Sequence, residues 1–387
     1  FSAAWRISQE SFLRGANFIT DLKLRASYGV TGNNEVLGGD YPGYSSYGTS
    51  PGLSSYAING AVDKVSQGFA QVSSGNLNLK WETSQLINLA FDAIFAKNLT
   101  LTFEWYSRKT KDMILGVAQP LETGNTFPLN QNIGSMINKG VDLQLSYTGK
   151  LLSQKLWYNV GLTGTHFTNK VLSLEAGTPF VRGYSLHSSY PAISRTQPGY
   201  PVSQFFGYVA EGLWTSQEEI QTILFANPGF AKPGRMKFRD VNGDGEITDE
   251  DRTFIGNPIP KFILGLNLSL NYKNFDVTAY FSGVFGQSVF NAVKSYSDFH
   301  NTNVLLSTPA NRSKRMLYEE GKSLPVLDLT DTHSGDISSY FVEDASFFRC
   351  KNIVAGYTLP QKIISKAGLA KWRTYFQVQN LFTLTKY

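Results

Sequence analysis

The residues best suited to chemistry lie in one stretch, DVNGDGEITDED, residues 240–251. Asp240, Asn242 and Asp244 fall at positions 1, 3 and 5 of a calcium-binding loop, and Gly245 falls at position 6, where the backbone must turn sharply. Glu246 offers its backbone carbonyl at position 7, Thr248 stands at 9 and Asp251 at 12. Hard oxygen donors at this spacing wrap a Ca²⁺ ion, so Asp240, Asn242, Asp244, Glu246, Thr248 and Asp251 are the candidate ligands. Aspartate at position 12 reaches less far than glutamate, which weakens bidentate ligation. The preceding PGRMKFRD, residues 233–240, reads as extended rather than helical, so this is not a full EF-hand. The expected role of the ion is to stiffen a loop. The same letters also make a polar turn that needs no metal.

No other constellation points to catalysis. The chain has no HExxH, GxSxG, Walker or GxGxxG motif, and no enzymatic activity is expected. Its four histidines, His166, His187, His300 and His333, lie far apart without ligand spacing. Asp328 and Asp331 in LDLTD could pair as carboxylates, but solvated loop acids are the plainer reading. Cys350 is the single cysteine, so no intrachain disulfide forms, and its strand-like surroundings suit a packed thiol. The net charge of +5 is not concentrated: SRKTK (107–111) and NRSKR (311–315) are short runs. A nucleic-acid partner would want a basic stripe, and none is expected.

The elements that carry these residues alternate with a period of two. In LGLNLSLNYKNFDVTAYFSG, residues 264–283, Leu264, Leu266, Leu268 and Leu270 share a face opposite Asn267 and Ser269. After the turn at Lys273 and Asn274, Val277 continues the apolar face, and Asp276 and Thr278 the polar one. Such a pair of runs is a β-hairpin. Ile87, Leu89 and Phe91 repeat the pattern, as do Leu101 and Phe103, and Leu143 and Leu145. Less regular segments at 21–28, 158–163, 348–358 and 372–381 bring the expected strands to nine. The chain contains no apolar run long enough for a transmembrane helix. A transmembrane barrel escapes that test, because alternate residues face its interior.

The connections discriminate further. Short ones at 96–98, 149–154, 273–274 and 359–371 alternate with long ones at 29–83, 107–139, 167–260 and 284–345. In an up-and-down sheet this places all tight turns on one edge and all large loops on the other, as in outer-membrane barrels. Aromatic residues also cluster at strand ends, where membrane interfaces favour them. A soluble β-sandwich shares the alternation, but four long structureless loops are uncommon in a compact soluble domain. The expected fold is therefore all-β: a transmembrane up-and-down antiparallel β-barrel, present in part. The apolar residues named above are its lipid-facing set. Residues 1–7 read as the tail of a further strand, and an odd number of strands cannot close an antiparallel barrel, so the chain is expected to be incomplete at both ends.

Six phrases, in order along the chain, carry a resemblance: SAAWRISQESFL with DLKLRASYGVTGNNE (within 2–35), NLNLKWETSQLINLAFD (76–92), NIGSMINKGVDLQLSY (132–147), FRDVNGDGEITDEDRTFIGNPIPKF (238–262), DASFFRCKNIVAGYTLP (344–360) and VQNLFTLTKY (378–387). Together they resemble the SusC/RagA family of TonB-dependent outer-membrane transporters of Bacteroidetes. The resemblance implies the C-terminal portion of a large plugged barrel of 22 strands in the cell outer membrane. It implies a SusD-like surface lipoprotein as a lid, energy supplied through TonB, and an oligosaccharide or peptide as cargo. The calcium-like loop belongs to the family pattern. The plug, the TonB-contacting motif and a final strand are not in this chain, and Cys350 stands where the family has an apolar residue. No substrate-contacting residues are assigned. Loop aromatics such as Tyr184, Tyr190, Phe205 and Phe206 could stack on sugars, pack on the lipoprotein or form loop core. A passive porin and a soluble calcium-stiffened surface adhesin are the rival expectations.

Overall fold

The computed structural model describes residues 1–13, 15–35, 42–49, 54–57, 60, 65–117, 119, 122, 127–174, 179–183, 185, 191–220, 231–294, 325 and 330–387. Ten strands form one antiparallel sheet in chain order. They are β1 (Ser2–Arg6), β2 (Ile19–Asn33), β3 (Glu82–Phe95), β4 (Leu99–Val117), β5 (Leu129–Leu151), β6 (Leu156–Ser173), β7 (Phe262–Tyr272), β8 (Phe275–Phe285), β9 (Phe347–Thr358) and β10 (Arg373–Thr385). Each pairs with the next. The nine expected strands are present, and the expected tail at residues 1–7 forms β1. The sheet does not close on itself; β1 and β10 are its edges.

Tight turns join the strands at one edge. Between β3 and β4, Ala96 and Lys97 both adopt left-handed backbone (φ 47° and 65°), the twist that a short hairpin needs. Between β7 and β8, Lys273 does the same (φ 52°).

At the other edge the expected loops are shorter and more ordered than the sequence suggests. The expected 107–139 loop is strand for most of its length: β4 runs to Val117 and β5 begins at Leu129. A bulge between Thr110 and Met113, with Asp112 at φ 55°, breaks the alternation there and hides the strand from a pattern reading. The expected 167–260 and 284–345 loops contain structure of their own. Val181–Arg182, Ser194–Thr196, Gln204–Gly207 and Thr253–Gly256 form a four-stranded sheet. Ser288–Phe290 pairs with Val342–Asp344.

These two connections also hold each other. Tyr208 bridges in parallel to Ser338, the Tyr208 N–H donates to the Ile337 carbonyl (2.9 Å), and the Ser339 N–H donates to the Tyr208 carbonyl (2.9 Å). Phe205, Phe290, Ile337 and Phe341 form a buried cluster at this junction. The core thus lies in the loop-built body. The large faces of the sheet have no covering layer among the described residues, and Leu89 remains 50% exposed.

Candidate functional site: the two-faced sheet and its outer loop body

The strand registers give the sheet two chemically opposite faces. Following residues that face each other across the strands from β1 to β10, one row reads Trp5, Leu24, Phe91, Phe103, Leu143, Gly164, Leu264, Gly283, Phe348, Leu384. The row one residue away reads Arg6, Lys23, Asp92, Thr102, Gln144, Thr163, Gly265, Ser282, Arg349, Thr383. Apolar residues and glycine occupy the first; polar residues and glycine occupy the second. Side chains alternate along a strand, so a slip of one residue would exchange the faces.

The same registers place Ile87, Leu89, Phe91, Leu101, Phe103, Leu143, Leu145, Leu264, Leu266, Leu268, Leu270 and Val277 all on the apolar face. None of them is buried. Cys350 lies on this face opposite Phe281 and Phe382, and its side chain is buried.

Aromatic rings border the apolar face at both ends. Near the tight turns, Phe18 stacks on Phe95 (5.4 Å between centroids), Tyr147 packs on Tyr158 (5.8 Å) and Phe275 on Tyr357 (4.6 Å). Toward the long connections, His166 stacks on Phe262 (4.7 Å) and Phe281 on Phe348 (5.8 Å). From Phe262 to Tyr272 the strand rises roughly 33 Å, which at a tilt of about 40° spans roughly 25 Å, the height of an outer-membrane apolar band.

The polar face is cross-linked. Arg25 donates twice to Asp92 (2.8 and 3.0 Å) and stands 3.9 Å from Glu104. Thr102 also donates to Asp92 (3.1 Å), Asn88 donates to Glu104, and Thr165 donates to Asp142 (2.5 Å). Near the tight turns, Arg373 grips Asp276 through two guanidinium nitrogens. Polar groups facing an aqueous or protein-filled interior are satisfied in this way, whereas in hydrocarbon each would be costly.

The calcium-like loop follows the strand Met236–Phe238 and ends in a helical turn at Asp249–Asp251. Gly243 and Gly245 adopt left-handed backbone (φ 77° and 86°), which favours glycine and lets the chain coil. Asp240 accepts from the N–H groups of Gly243 (2.6 Å) and Gly245 (2.7 Å). These bonds, led by that from Gly245, hold its carboxyl below the usual carboxylate range. Asp251 is fully buried and accepts from Val241 (2.7 Å) and Thr248 (2.7 Å). Asn242 donates through its side chain to Asp244 (2.7 Å), and Asp244 accepts from the Glu246 N–H (2.8 Å). Thr248 caps the terminal turn. The loop is thus ordered by its own hydrogen bonds. Asp251 Oδ1 accepts from both Val241 and Asn242, whereas each Asp244 oxygen accepts one of these bonds and keeps a lone pair, so the donor chemistry of the outer carboxylates fits a hard cation. Among the described residues, however, no three His, Cys, Asp or Glu side chains converge on a common point.

Phe205 and Phe206 are buried at 8% exposure each. Phe205 belongs to the loop-body core, and Phe206 packs edge-on to Phe254. Tyr184, Tyr190, His187, His300 and Asp328 lie outside the described residues.

Sequence reasoning missed two cavities beside the calcium-like loop. One, of about 280 Å³, is lined by Tyr208, Trp214, Phe238, Thr248, His333 and Asp336 among others. Within it His333 Nδ1 lies 2.8 Å from Asp336, whose carboxyl burial pushes above its usual range. Burial likewise raises the Tyr208 hydroxyl, which donates to Asp249 (3.2 Å). The other, of about 210 Å³, is lined by Phe180, Arg182, Arg195, Phe206, Asp249 and Arg252 among others. Their residues come from distant segments, and no spacing in the sequence signals either cavity.

An open antiparallel sheet with one apolar face, one polar face, aromatic borders, tight turns at one edge and large loops at the other is the wall of an outer-membrane β-barrel. No helix among the described residues is long and apolar enough to cross a membrane. The chain belongs to the TonB-dependent receptor-like β-barrel family, whose model matches residues 1–381, and its relatives are of the SusC/RagA type. It is 32% identical to TonB-dependent receptor P3 of Formosa agariphila, over 99% of this chain and 37% of that protein. It is 30% identical to TonB-dependent receptor SusC of Bacteroides thetaiotaomicron, over 99% of this chain and 36% of that protein. Among solved structures, the RagAB peptide transporter superposes with a TM-score of 0.76 at 23% identity, covering 100% of this chain and 39% of that one. The RagAB peptide importer in its closed-closed state gives 0.75 at 24% identity, covering 100% of this chain and 40% of that one. The chain therefore spans well under half the length of these relatives. Its family places it in the outer membrane.

Proposed function

We propose that this chain is the C-terminal barrel wall and outer loop body of an active importer, energised through TonB and covered by a SusD-like lipoprotein. Its cargo class is an oligosaccharide or a peptide. The two-faced sheet carries this reading. Its apolar face, with Leu89 and Leu264 exposed, suits hydrocarbon, and its polar face, braced by Arg25, Asp92 and Glu104, suits a plugged interior. A soluble adhesin would need to bury the first face, and the sheet has nothing over it among the described residues. The large structured connections supply an outer surface for a lid and for cargo.

Uptake of labelled oligosaccharides and peptides by cells, with and without the gene and with and without a protonophore, tests the proposal. Gene-dependent uptake that collapses with the protonophore is expected. Uptake indifferent to the protonophore would identify a passive pore instead.

We also propose that Asp240, Asn242, Asp244, the Glu246 carbonyl, Thr248 and Asp251 hold Ca²⁺. The ion would stiffen a loop that already coils around its own carboxylates.

A further inference from the structure

The 210 Å³ cavity in the outer loop body carries three guanidinium groups, from Arg182, Arg195 and Arg252. Arg195 is sandwiched between two rings, its Cζ 3.9 Å from the centroid of Phe180 and 3.5 Å from that of Phe206. Arg182 stands 5.9 Å from the Phe180 ring and Arg252 5.7 Å from the Phe206 ring. Stacking occupies the flat faces of a guanidinium and leaves its N–H edge to find an acceptor. Among the described residues Arg182 and Arg195 have none. The Nε of Arg252 is buried and also lacks a hydrogen-bond partner. The sole acid among the described lining residues, Asp249, is 3.6 Å from Arg252, and its side chain is 87% exposed. Among the described lining residues three cations face one carboxylate, and Asp336 acts on Arg252 from the neighbouring cavity. Burial and the two neighbouring arginines depress the basicity of Arg195, yet an arginine cannot shed its proton at physiological pH. Held like charges of this kind raise the free energy of the empty site, and an anion relieves it.

We infer that this cavity binds an oxyanion, a carboxylate, sulfate or phosphate group carried by the cargo, with Arg195 as the forked donor and Arg252 and Arg182 beside it. The aromatic sandwich fixes the plane of Arg195 in advance, so the fork meets a planar or tetrahedral oxyanion without losing side-chain freedom. This inference rests on the importer reading for the source of the anion, but not for its binding.

The test is calorimetry on the detergent-solubilised protein with sodium sulfate, phosphate, acetate, glucuronate and an acidic dipeptide, against chloride as the background anion. Saturable binding of at least one of them is expected. Arg195→Gln should weaken it tenfold to a hundredfold, the range for losing a charge-assisted contact, and Arg195→Lys should restore part of it. Arg252→Gln should weaken it in a second, separately purified variant, so that misfolding of one does not decide the matter. Preference among sulfate, phosphate and the carboxylates names the chemical source. No saturable binding in the wild type, or equal binding in Arg195→Gln and Arg252→Gln with the barrel folded, would overturn the inference. If sulfate were displaced by the purified lipoprotein partner and by no cargo, the assignment to cargo would also fall. Import without anion binding removes this inference alone; anion binding without import removes the importer reading alone.

Discussion

Phe91 and Phe103 are cross-strand partners whose rings stack at 5.6 Å on the apolar face of the sheet. One residue on in β3 and one residue back in β4, Asp92 and Thr102 hydrogen-bond at 3.1 Å on the opposite face. A single peptide step separates a contact made for hydrocarbon from one made for water, and this contrast recurs across the sheet.

That contrast sets the cost of misplaced charge. Leu266 lies on the apolar face near the middle of β7, and Asn267 lies on the polar face. Leu266→Arg should destabilise the barrel by about 2–4 kcal/mol, as for arginine at a bilayer midplane. Asn267→Arg should cost little of that origin. Denaturant unfolding in lipid bilayers measures both, and equal penalties would contradict the assignment of faces.

The Arg25–Asp92 pair is bidentate and partly exposed, 34% and 36% by side chain. Such a pair should couple by about 1 kcal/mol. A double-mutant cycle with Arg25→Gln and Asp92→Asn reads the coupling directly. A coupling near zero would mean that the two groups are held by their strands rather than by each other.

Glu219 accepts from Lys237 (2.6 Å), which leads the causes holding its pKa at about 2 instead of 4.5. A carboxylate depressed on folding contributes stability above its ordinary pKa and loses it as pH falls through the depressed one. The turn at Gln217–Ile220 should therefore loosen as pH drops from 4.5 toward about 2. In Lys237→Ala much of that dependence should vanish. Hydrogen exchange at a series of acid pH values, compared between the two proteins, decides it.

Gly207 is pressed against the other long connection. A Cβ built there would stand 2.1 Å from the Ile337 carbonyl oxygen. Gly207→Ala should thus part the two connections at the Tyr208–Ile337 hydrogen bond, at a cost of about 1–3 kcal/mol for overpacking. Limited proteolysis should then cut the loop body faster while the sheet stays protected. Unchanged cleavage would show that the contact does not hold the body together.

For the calcium proposal, calorimetry with Ca²⁺ should give binding that Asp240→Ala abolishes. Asp251→Ala should act differently, because it also removes the acceptor of the Val241 and Thr248 N–H groups. Loop exchange should then rise even without the ion. Absence of Ca²⁺ binding in the parent protein would leave the loop as a hydrogen-bonded turn.

How much of this was legible in the sequence follows from what each pattern depends on. The alternation from Leu264 to Leu270 could be read because a strand's contacts are set by local parity alone. The extensions of β4 and β5 could not, because the bulge at Asp112 resets that parity and NQNIGSMINKG does not alternate cleanly. The carboxylate spacing of 240–251 was legible because it lies in one continuous stretch of chain, but how those side chains are turned was not, and they do not converge on a common point among the described residues. The cluster of Phe205, Phe290, Ile337 and Phe341, and the trio Arg182, Arg195 and Arg252, depend on how distant connections cross, which no local period encodes. Phe205, a candidate for cargo contact, is loop core for the same reason, and Phe206 beside it lines the arginine cavity.

The bridge between Tyr208 and Ser338 joins positions 130 residues apart, with two membrane-crossing hairpins' worth of chain around and between them. It closes a long loop of chain around the β7–β8 hairpin, and it can form because both connections leave the sheet at the same edge. The outer body therefore works as a hoop: it ties neighbouring staves together at the rim, where no tight turn joins them.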